Sequence, residues 1–279
     1  MKFLDIRTDF AFKKVFGSID SKVRLMSFLN AVIHFNNNAK IVDLTIVDPY
    51  NIPLLKGMKD TFVDVKALLD NHTTVIIEMQ ILNHDGFEKR ILYNAAKNYS
   101  TQLLEGEDYT LLNPIIALTI VDFIMFEDID NVISNFKLIE KKEFITYSDD
   151  LEMIFIELPK FNKSLDELEG IQDQWIYFIK NAGSLEYIPD NIAPPIVTAF
   201  EISNTASLSH EELELQYKKR EFIMVQKNAL KTAEMKGQIK MSLRLLQAGV
   251  DIDIVAKSSD MSVEQIQQLL NNQHDNQTN

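Results

Sequence analysis

The chain has 279 residues, of which 46% are hydrophobic and 25% are charged, and this composition is typical of a folded globular protein rather than a disordered one. It contains no cysteine, which excludes zinc fingers, iron–sulfur clusters, thiol nucleophiles and disulfide frameworks. The net charge of −13 counts against nucleic acid as a partner, because phosphate binding draws on clustered Lys and Arg.

The acidic charge is concentrated in the second part of the chain. Residues 1–100 hold 13 basic and 11 acidic residues, whereas residues 101–279 hold 15 basic and 30 acidic residues. A mildly basic first part can still approach a polyanion. The overall charge therefore weakens the case for a nucleic-acid partner without removing it.

No segment has the pattern of a secretion signal or a membrane span. The first seven residues mix charged with apolar side chains and lack the continuous apolar stretch of a signal peptide. The most apolar run, Ile115–Phe126, contains Asp122 and is shorter than the roughly 20 apolar residues that a bilayer span needs. We expect a soluble cytoplasmic protein without membrane contact.

Hydrophobic periodicity predicts two helices at the start of the chain, within residues 8–35, with Gly17 between them. β-Branched runs then predict strands over residues 41–47, 61–69 and 73–82, and the polar link between the last two is typical of an antiparallel hairpin. A helix from Gly86 to Gly106 and a buried strand over residues 115–121 follow. The predicted order is α, β, β, β, α, β.

The rest of the chain is predicted to be mainly helical. Weaker strand candidates at residues 135–139 and 152–158 precede helices around 165–181 and 194–204. A long helix begins at Ser209 with a capping-box pattern and runs towards Gly249, with Gly237 as a candidate break. We expect a core over residues 1–160, a helical C-terminal region over 161–270 and a disordered tail over 271–279.

Two carboxylates are predicted to meet across the hairpin. Side chains alternate along a strand, so Asp64 shares a face with Lys66, and Glu78 shares a face with Gln80. If the hairpin turns at Asn71, position 64 lies opposite position 78, and a shift of one residue would separate them. Opposed residues have Cβ atoms about 4.5–5.5 Å apart, where two negative charges repel unless a cation bridges them.

A divalent metal ion would relieve that repulsion. Carboxylate oxygens with few other ligands suit Mg²⁺, with Mn²⁺ as a second option, and Mg²⁺ prefers to share its shell with water and substrate phosphate. Such an ion lowers the pKa of a bound water and stabilises the charge that builds on a scissile phosphate. The pattern predicts phosphodiester cleavage. The alternative for the two residues taken alone is an ordinary solvent-facing pair.

Several stretches resemble one protein family. Val63–Ala67 followed by Ile77–Gln80 is similar to the D…ExQ signature of the Rpn family of recombination-promoting nucleases and transposases, a branch of the PD-(D/E)XK nucleases. Residues 8–17, 28–31, 90–93, 106–109 and 156–160 are similar to the family's other characteristic stretches. The resemblance implies an α/β fold of the restriction-endonuclease type, a mixed sheet flanked by helices with an αβββαβ core, followed here by a helical C-terminal region.

The resemblance also implies roles for single residues. Asp64 and Glu78 would hold the metal ion, while Gln80 replaces the lysine that is usual in the wider group. A neutral amide offers only hydrogen bonds, so turnover would be slow or use another basic group, and Lys66 is one candidate. The family's helix-borne acid corresponds to Asp9, a further candidate metal ligand. The alternative for Asp9 is a residue favoured by the helix macrodipole.

Four side chains are candidate DNA contacts. Lys13 lies one helical turn after the candidate ligand Asp9. Arg90, Tyr93 and Lys97 can line one face of the helix after the hairpin, where they would meet phosphates. Ordinary surface charge is an equally weighted alternative for these last three residues.

Other chemistries lack support. The five histidines show no zinc-ligand spacing, and the glycines form no nucleotide-binding or phosphate-binding loop motif. Residues 251–270 predict two short helices, with Ser262 and Gln265 able to form a capping box. The second of these helices has no Lys or Arg and would anchor phosphate poorly. We expect the C-terminal helices to serve packing or homo-oligomerisation.

Three functions remain open at this point. The first is a Mg²⁺-dependent DNA endonuclease associated with recombination or mobile elements. The second is a catalytically inactive relative that binds DNA or a protein partner, which Gln80 and the acidic second part of the chain favour. The third is an RNA-cleaving enzyme, which the same metal chemistry permits.

Overall fold

The structure, a computed structural model, describes residues 1–35, 39–51, 61–259 and 261–268. The α-helices are α1 Asp9–Phe16, α2 Lys22–Val32, α3 Phe87–Ser100, α4 Gly170–Asn181, α5 Pro194–Ile202, α6 His210–Gln247 and α7 Ile252–Ser258. The strands are β1 Leu44–Val47, β2 Tyr50–Asn51, β3 Thr61–Phe62, β4 Val65–Leu69, β5 Thr74–Gln80, β6 Ile115–Val121, β7 Ile133–Ile139 and β8 Thr146–Glu157.

Six strands form one mixed sheet in the order β1-β4-β5-β6-β8-β7, and β2 pairs with β3 in a separate ladder. Strand β5 is antiparallel to β4 and parallel to β6, which is parallel to β8. Parallel neighbours need a long crossover, and α3 lies in the one that joins β5 to β6. The predicted mixed sheet flanked by helices, with a helical C-terminal region, is confirmed.

The two faces of the sheet bury two apolar cores. Strand β6 is buried along its whole length, as its continuous apolar sequence predicts. It contributes Ile116, Leu118 and Ile120 to a large core shared with α1, α2, α4 and α5. It contributes Ile115, Ala117 and Val121 to a smaller core under α3. The helices of the first 200 residues therefore cover both faces.

The edges of the sheet are short or irregular. Strand β1 has four residues, and β7 pairs with β8 through a ladder whose register shifts after Lys137 and again after Leu138. Strand β8 is longer than predicted, because its first residues are polar and gain their order from pairing with β7.

Helix ends differ from the prediction at two places. The helix predicted to reach Gly106 ends at Ser100, and α6 runs unbroken through Gly237. A glycine inside a helix costs only about 1 kcal/mol relative to alanine, so a long helix tolerates one. The predicted capping box at Ser209 is present: its N–H donates to Glu212 Oε2 at 2.8 Å, and the Glu212 N–H donates to Ser209 Oγ at 3.2 Å.

Contacts divide the chain into two compact units, Met1–Lys219 and Arg220–Asn279. The first holds the sheet, the two cores on its faces and the start of α6. In the second, Val255 and Ile266 are fully buried in a small apolar cluster. The boundary predicted after residue 160 rests on the change from strands to helices, and it stays a prediction. The tail at 271–279 lies outside the described residues. Among the described helices, none combines the length and apolarity that a bilayer crossing requires.

Candidate active site

The hairpin of β4 and β5 positions the two candidate carboxylates. Val65 pairs with Ile77, and continuing this register by one residue sets Asp64 opposite Glu78. The backbone agrees, because the N–H of Asp64 donates to the carbonyl of Ile77 at 3.0 Å. The predicted register is therefore present.

Asp64 lies immediately before β4, where the strand leaves the ladder. The preceding residue, Val63, donates its N–H to Pro49 O instead. Asp64 Oδ2 accepts a hydrogen bond from the Met79 N–H at 2.8 Å. This bond satisfies a backbone donor of β5 at the point where the pairing with β4 ends. Asp64 Oδ1 lies 3.2 Å from Lys13 Nζ. One carboxylate oxygen is thus fixed by backbone, and the other faces a cation.

Glu78 is held by helix α3. Its carboxylate forms an ion pair with Arg90 and accepts a hydrogen bond from Asn94. The Arg90 guanidinium also donates to Gln80 Oε1 at 3.0 Å, and Gln80 Nε2 donates to Leu82 O at 2.8 Å. Both ends of the Gln80 amide are therefore engaged within the protein.

Burial raises the pKa of both carboxyl groups. For Asp64 this desolvation is opposed by a backbone N–H and by Lys13, and the charge of Asp9 raises the pKa further. For Glu78 it is opposed by Arg90, and the charge of Asp64 raises the pKa. The three acids therefore lie close enough for charge repulsion between neighbours: Asp9 repels Asp64, and Asp64 repels Glu78.

Asp9 lies in the first turn of α1 and forms an ion pair with Lys219 of α6. Two further contacts tie the start of α6 to α1 and the residue before it, Glu212 with Lys14 at 3.2 Å and Gln216 with Thr8 at 3.2 Å. Sequence reasoning missed Lys219, because it lies in a helix of mixed charge 210 residues from its partner. No motif or spacing in the sequence links Lys219 to Asp9.

Each acid of the site thus faces one cation carried by a helix. The pairs are Asp9 with Lys219, Asp64 with Lys13 and Glu78 with Arg90. Lys13 and Arg90 favour the ionised forms of the two buried carboxyls, which are the forms that bind a metal ion.

The remaining predicted residues differ in their surroundings. Lys66 pairs with Val47 of β1 on one side and Ile76 of β5 on the other; burial lowers the pKa of its ammonium, and the charge of Asp48 opposes this shift. Tyr93 is partly exposed, whereas Lys97 is only 3% exposed. The predicted stripe on α3 therefore separates into Arg90 in the site, Tyr93 at the surface and Lys97 inside, and the prediction of a surface contact is wrong for Lys97.

The donor set fits a hard divalent cation. The side chains of Asp64 and Glu78 are 13% and 14% exposed, and their like charges act on each other across the hairpin. Among the described residues, no group of three or more His, Asp or Glu side chains is arranged to hold a metal ion. A site with two protein carboxylates, completed by water and substrate, suits Mg²⁺ or a similar ion.

Comparison with known proteins identifies the family. A family model described as PD-(D/E)XK nuclease family transposase matches residues 6–233, a range that includes the hairpin, α1, α3 and the start of α6. No curated protein and no solved structure matches the chain. The match covers well over half of the sequence, and it agrees with the family that the motifs predict. The chain therefore belongs to the PD-(D/E)XK nuclease family transposases.

Proposed function

We propose that this protein is a metal-dependent DNA endonuclease that acts in recombination or in the movement of mobile elements. The observation that carries the proposal is the pair of mostly buried carboxylates, Asp64 and Glu78, which lie opposite each other in the hairpin. The family supports a nuclease associated with mobile elements. Mg²⁺ is the proposed ion, with Mn²⁺ as a substitute.

When bound, the ion would supply a water of lowered pKa and stabilise negative charge on the phosphate. The protein's own groups prepare the place for it. The Met79 N–H orients Asp64 through Oδ2 and leaves Oδ1 towards the site. Arg90 orients Glu78 and lowers the pKa of its carboxyl against burial. The site is thereby set for a cation before DNA arrives.

A plasmid-nicking assay tests the proposal. Supercoiled DNA is incubated with the purified protein in Mg²⁺ or Mn²⁺, beside Asp64→Asn and Glu78→Gln. Each substitution should lower the cleavage rate by at least about 100-fold, because it removes a charged ligand of the ion. Chelation by EDTA should stop the wild-type reaction.

The matched control is Glu88→Gln, which neutralises an exposed acid in the first turn of α3. It should cleave like the wild type. Equal cleavage by all four proteins would mean that the activity does not belong to this site.

The second candidate is a catalytically inactive member that binds DNA or a protein partner. Gln80 favours it, because the amide has replaced a lysine and is held by Arg90 and Leu82. Tight DNA binding in a gel-shift assay without cleavage in either metal would support this function. Substituting RNA for DNA in the nicking assay tests the third option.

The proposal also includes a cytoplasmic location and self-association through the C-terminal helices. Exposed apolar side chains along α6, among them Phe222, Met224 and Val225, support a self-contact. Light scattering coupled to gel filtration would show the predicted oligomer as a mass above 32.1 kDa.

A further inference from the structure

The proposed site leaves one catalytic need unassigned. Hydrolysis builds negative charge on the phosphate, and a cation that touches this charge adds to what a metal ion supplies. Gln80 cannot serve, since it is neutral and both ends of its amide are engaged. Arg90 is bound by Glu78 and Gln80, and the acid whose charge acts on Lys66 is Asp48.

Lys13 meets the geometric requirements. Its Nζ lies 3.2 Å from Asp64 Oδ1, the oxygen that the backbone does not hold. Its side chain is 47% exposed, so a side chain that reaches the carboxylate is also open to solvent and accessible to a phosphate. The main chain beneath it is fixed, because Ala11 and Val15 are buried on the opposite face of α1 and the Gly17 N–H donates to Lys13 O at 2.7 Å.

We propose that Lys13, on helix α1, is the catalytic lysine of this site and contacts the scissile phosphate beside Asp64. The inference rests on the proposed nuclease function. Hydrolysis forms one P–O bond from water and breaks one P–O ester bond, and the departing oxygen takes up a proton, so no further reactant is needed. Lys13 acts by its charge and transfers no proton.

Lys14 provides a matched control on the same helix. Its Nζ lies 3.2 Å from Glu212 of α6 and 5.5 Å from the centre of the Phe10 ring. It therefore has the same charge as Lys13 and a neighbouring position, but its contacts lie outside the carboxylate pair.

The first experiment separates catalysis from DNA binding. Single-turnover cleavage is measured at saturating DNA and Mg²⁺, and DNA affinity is measured in Ca²⁺, for Lys13→Gln, Lys13→Arg and Lys14→Gln. Lys13→Gln should cleave about 100-fold more slowly, and Lys13→Arg should retain part of the rate. Both should bind DNA within about threefold of the wild type, as should Lys14→Gln in both measurements.

The second experiment restores the amine, and the absence of cysteine makes it selective. In Lys13→Cys the introduced sulfur is the sole thiol; 2-bromoethylamine forms a C–S bond there and releases bromide. The product is a lysine analogue with sulfur in place of one methylene. Cleavage should recover, whereas capping with neutral iodoacetamide should leave the variant slow. Lys14→Cys should cleave normally before and after either treatment.

The outcomes distinguish this inference from the function on which it rests. Absence of cleavage by the wild type would overturn the proposed function. If the wild type cleaves, Asp64→Asn does not, and Lys13→Gln cleaves within about threefold of the wild type, the role of Lys13 is wrong and the nuclease stands. A loss of DNA affinity equal to the loss of rate, or recovery of the rate at high Mn²⁺, would assign Lys13 to binding or to ligand positioning.

Discussion

Asp64 and Glu78 occupy positions that disfavour charge. Burial raises the pKa of Asp64 and of Glu78 above the values of an unfolded chain. The folded state therefore binds protons more readily than the unfolded state between the ordinary carboxyl pKa, about 4, and the raised pKa. In that window the stability of the metal-free protein falls as the pH rises.

Asp64→Asn should make the metal-free protein more stable at neutral pH while it abolishes cleavage. The amide keeps an oxygen that can accept the Met79 N–H and removes the buried charge, so the free energy of unfolding should rise by up to about 1 kcal/mol. The slope of stability against pH above pH 4 should flatten. Urea unfolding at several pH values measures both, with Glu88→Gln as the control. A loss of stability would contradict the pKa argument.

Part of this site could be predicted from the sequence and part could not. Asp64 and Glu78 are equally far from the turn, so alternation and hairpin symmetry are sufficient to pair them. The contact of Lys13 with Asp64 depends on how α1 packs against the hairpin, and that of Lys219 with Asp9 depends on how the start of α6 packs against α1. No local periodicity encodes that packing, whereas strand alternation alone is enough to place Lys66 on the face of Asp64, and a catalytic role for Lys66 stays a prediction.

At the scale of elements, a buried ion pair fixes the loop between β6 and β7 to the end of β8. Glu157 is fully buried and accepts the N–H groups of Met125 and Phe126 at 2.6 and 3.1 Å. Lys160 Nζ donates to Glu157 Oε2 at 2.6 Å and to Phe126 O at 2.8 Å. Every partner in this network is needed, because an unpaired charge inside a protein is strongly unfavourable.

Lys160→Met should lower the free energy of unfolding by about 3–5 kcal/mol, because Glu157 would keep its charge without its cation. Adding Glu157→Gln should recover part of the loss, since the amide oxygen can still accept backbone N–H groups. Lys163→Met, which removes a more exposed cation from Asp173, should cost much less than Lys160→Met. Chemical denaturation compares the variants, and similar losses for Lys160 and Lys163 would show that the pair is not a structural centre.

The helices and strands whose apolar residues form a clear pattern were predicted correctly. The prediction failed for strands whose bounds depend on pairing with a neighbouring strand. The continuous apolar run of β6 and the two helices around Gly17 were evident. The run over residues 61–69 is divided into β3 and β4 at Asp64, because the chain changes ladder there. The polar start of β8 has no signature of its own and is ordered by its neighbour.

Across the whole molecule, α4 supports the helix that carries the catalytic candidates. Trp175 is fully buried, its ring lies 5.5 Å from that of Phe16 in α1 and 5.8 Å from that of Phe28 in α2, and its Nε1 donates to Ser27 Oγ at 3.1 Å. Residues 148 positions apart thus meet in one core. The placement of Asp9 and Lys13 depends on chain segments far from the hairpin.

Trp175→Ala should lower the free energy of unfolding by about 3–5 kcal/mol, the usual loss for removing a buried aromatic side chain. Cleavage at low temperature should fall as well, because α1 loses its support. Trp175→Phe should lose less of both, and Tyr187→Ala, at a side chain that is 60% exposed, should change little. Unfolding is followed by circular dichroism, because Trp175 is the only tryptophan and the variants lose its fluorescence as a probe. Unchanged stability of Trp175→Ala would contradict a role of α4 in supporting the core and α1.

The two borders of the sheet bear on how the protein behaves when crowded with copies of itself. An exposed strand edge offers unpaired N–H and C=O groups to another chain and can seed ordered aggregates. Here the strand at one border has four residues, and the pairing of the strand at the other border with its neighbour is interrupted twice. Little straight backbone is left for a foreign strand to extend, so copies are discouraged from joining border to border.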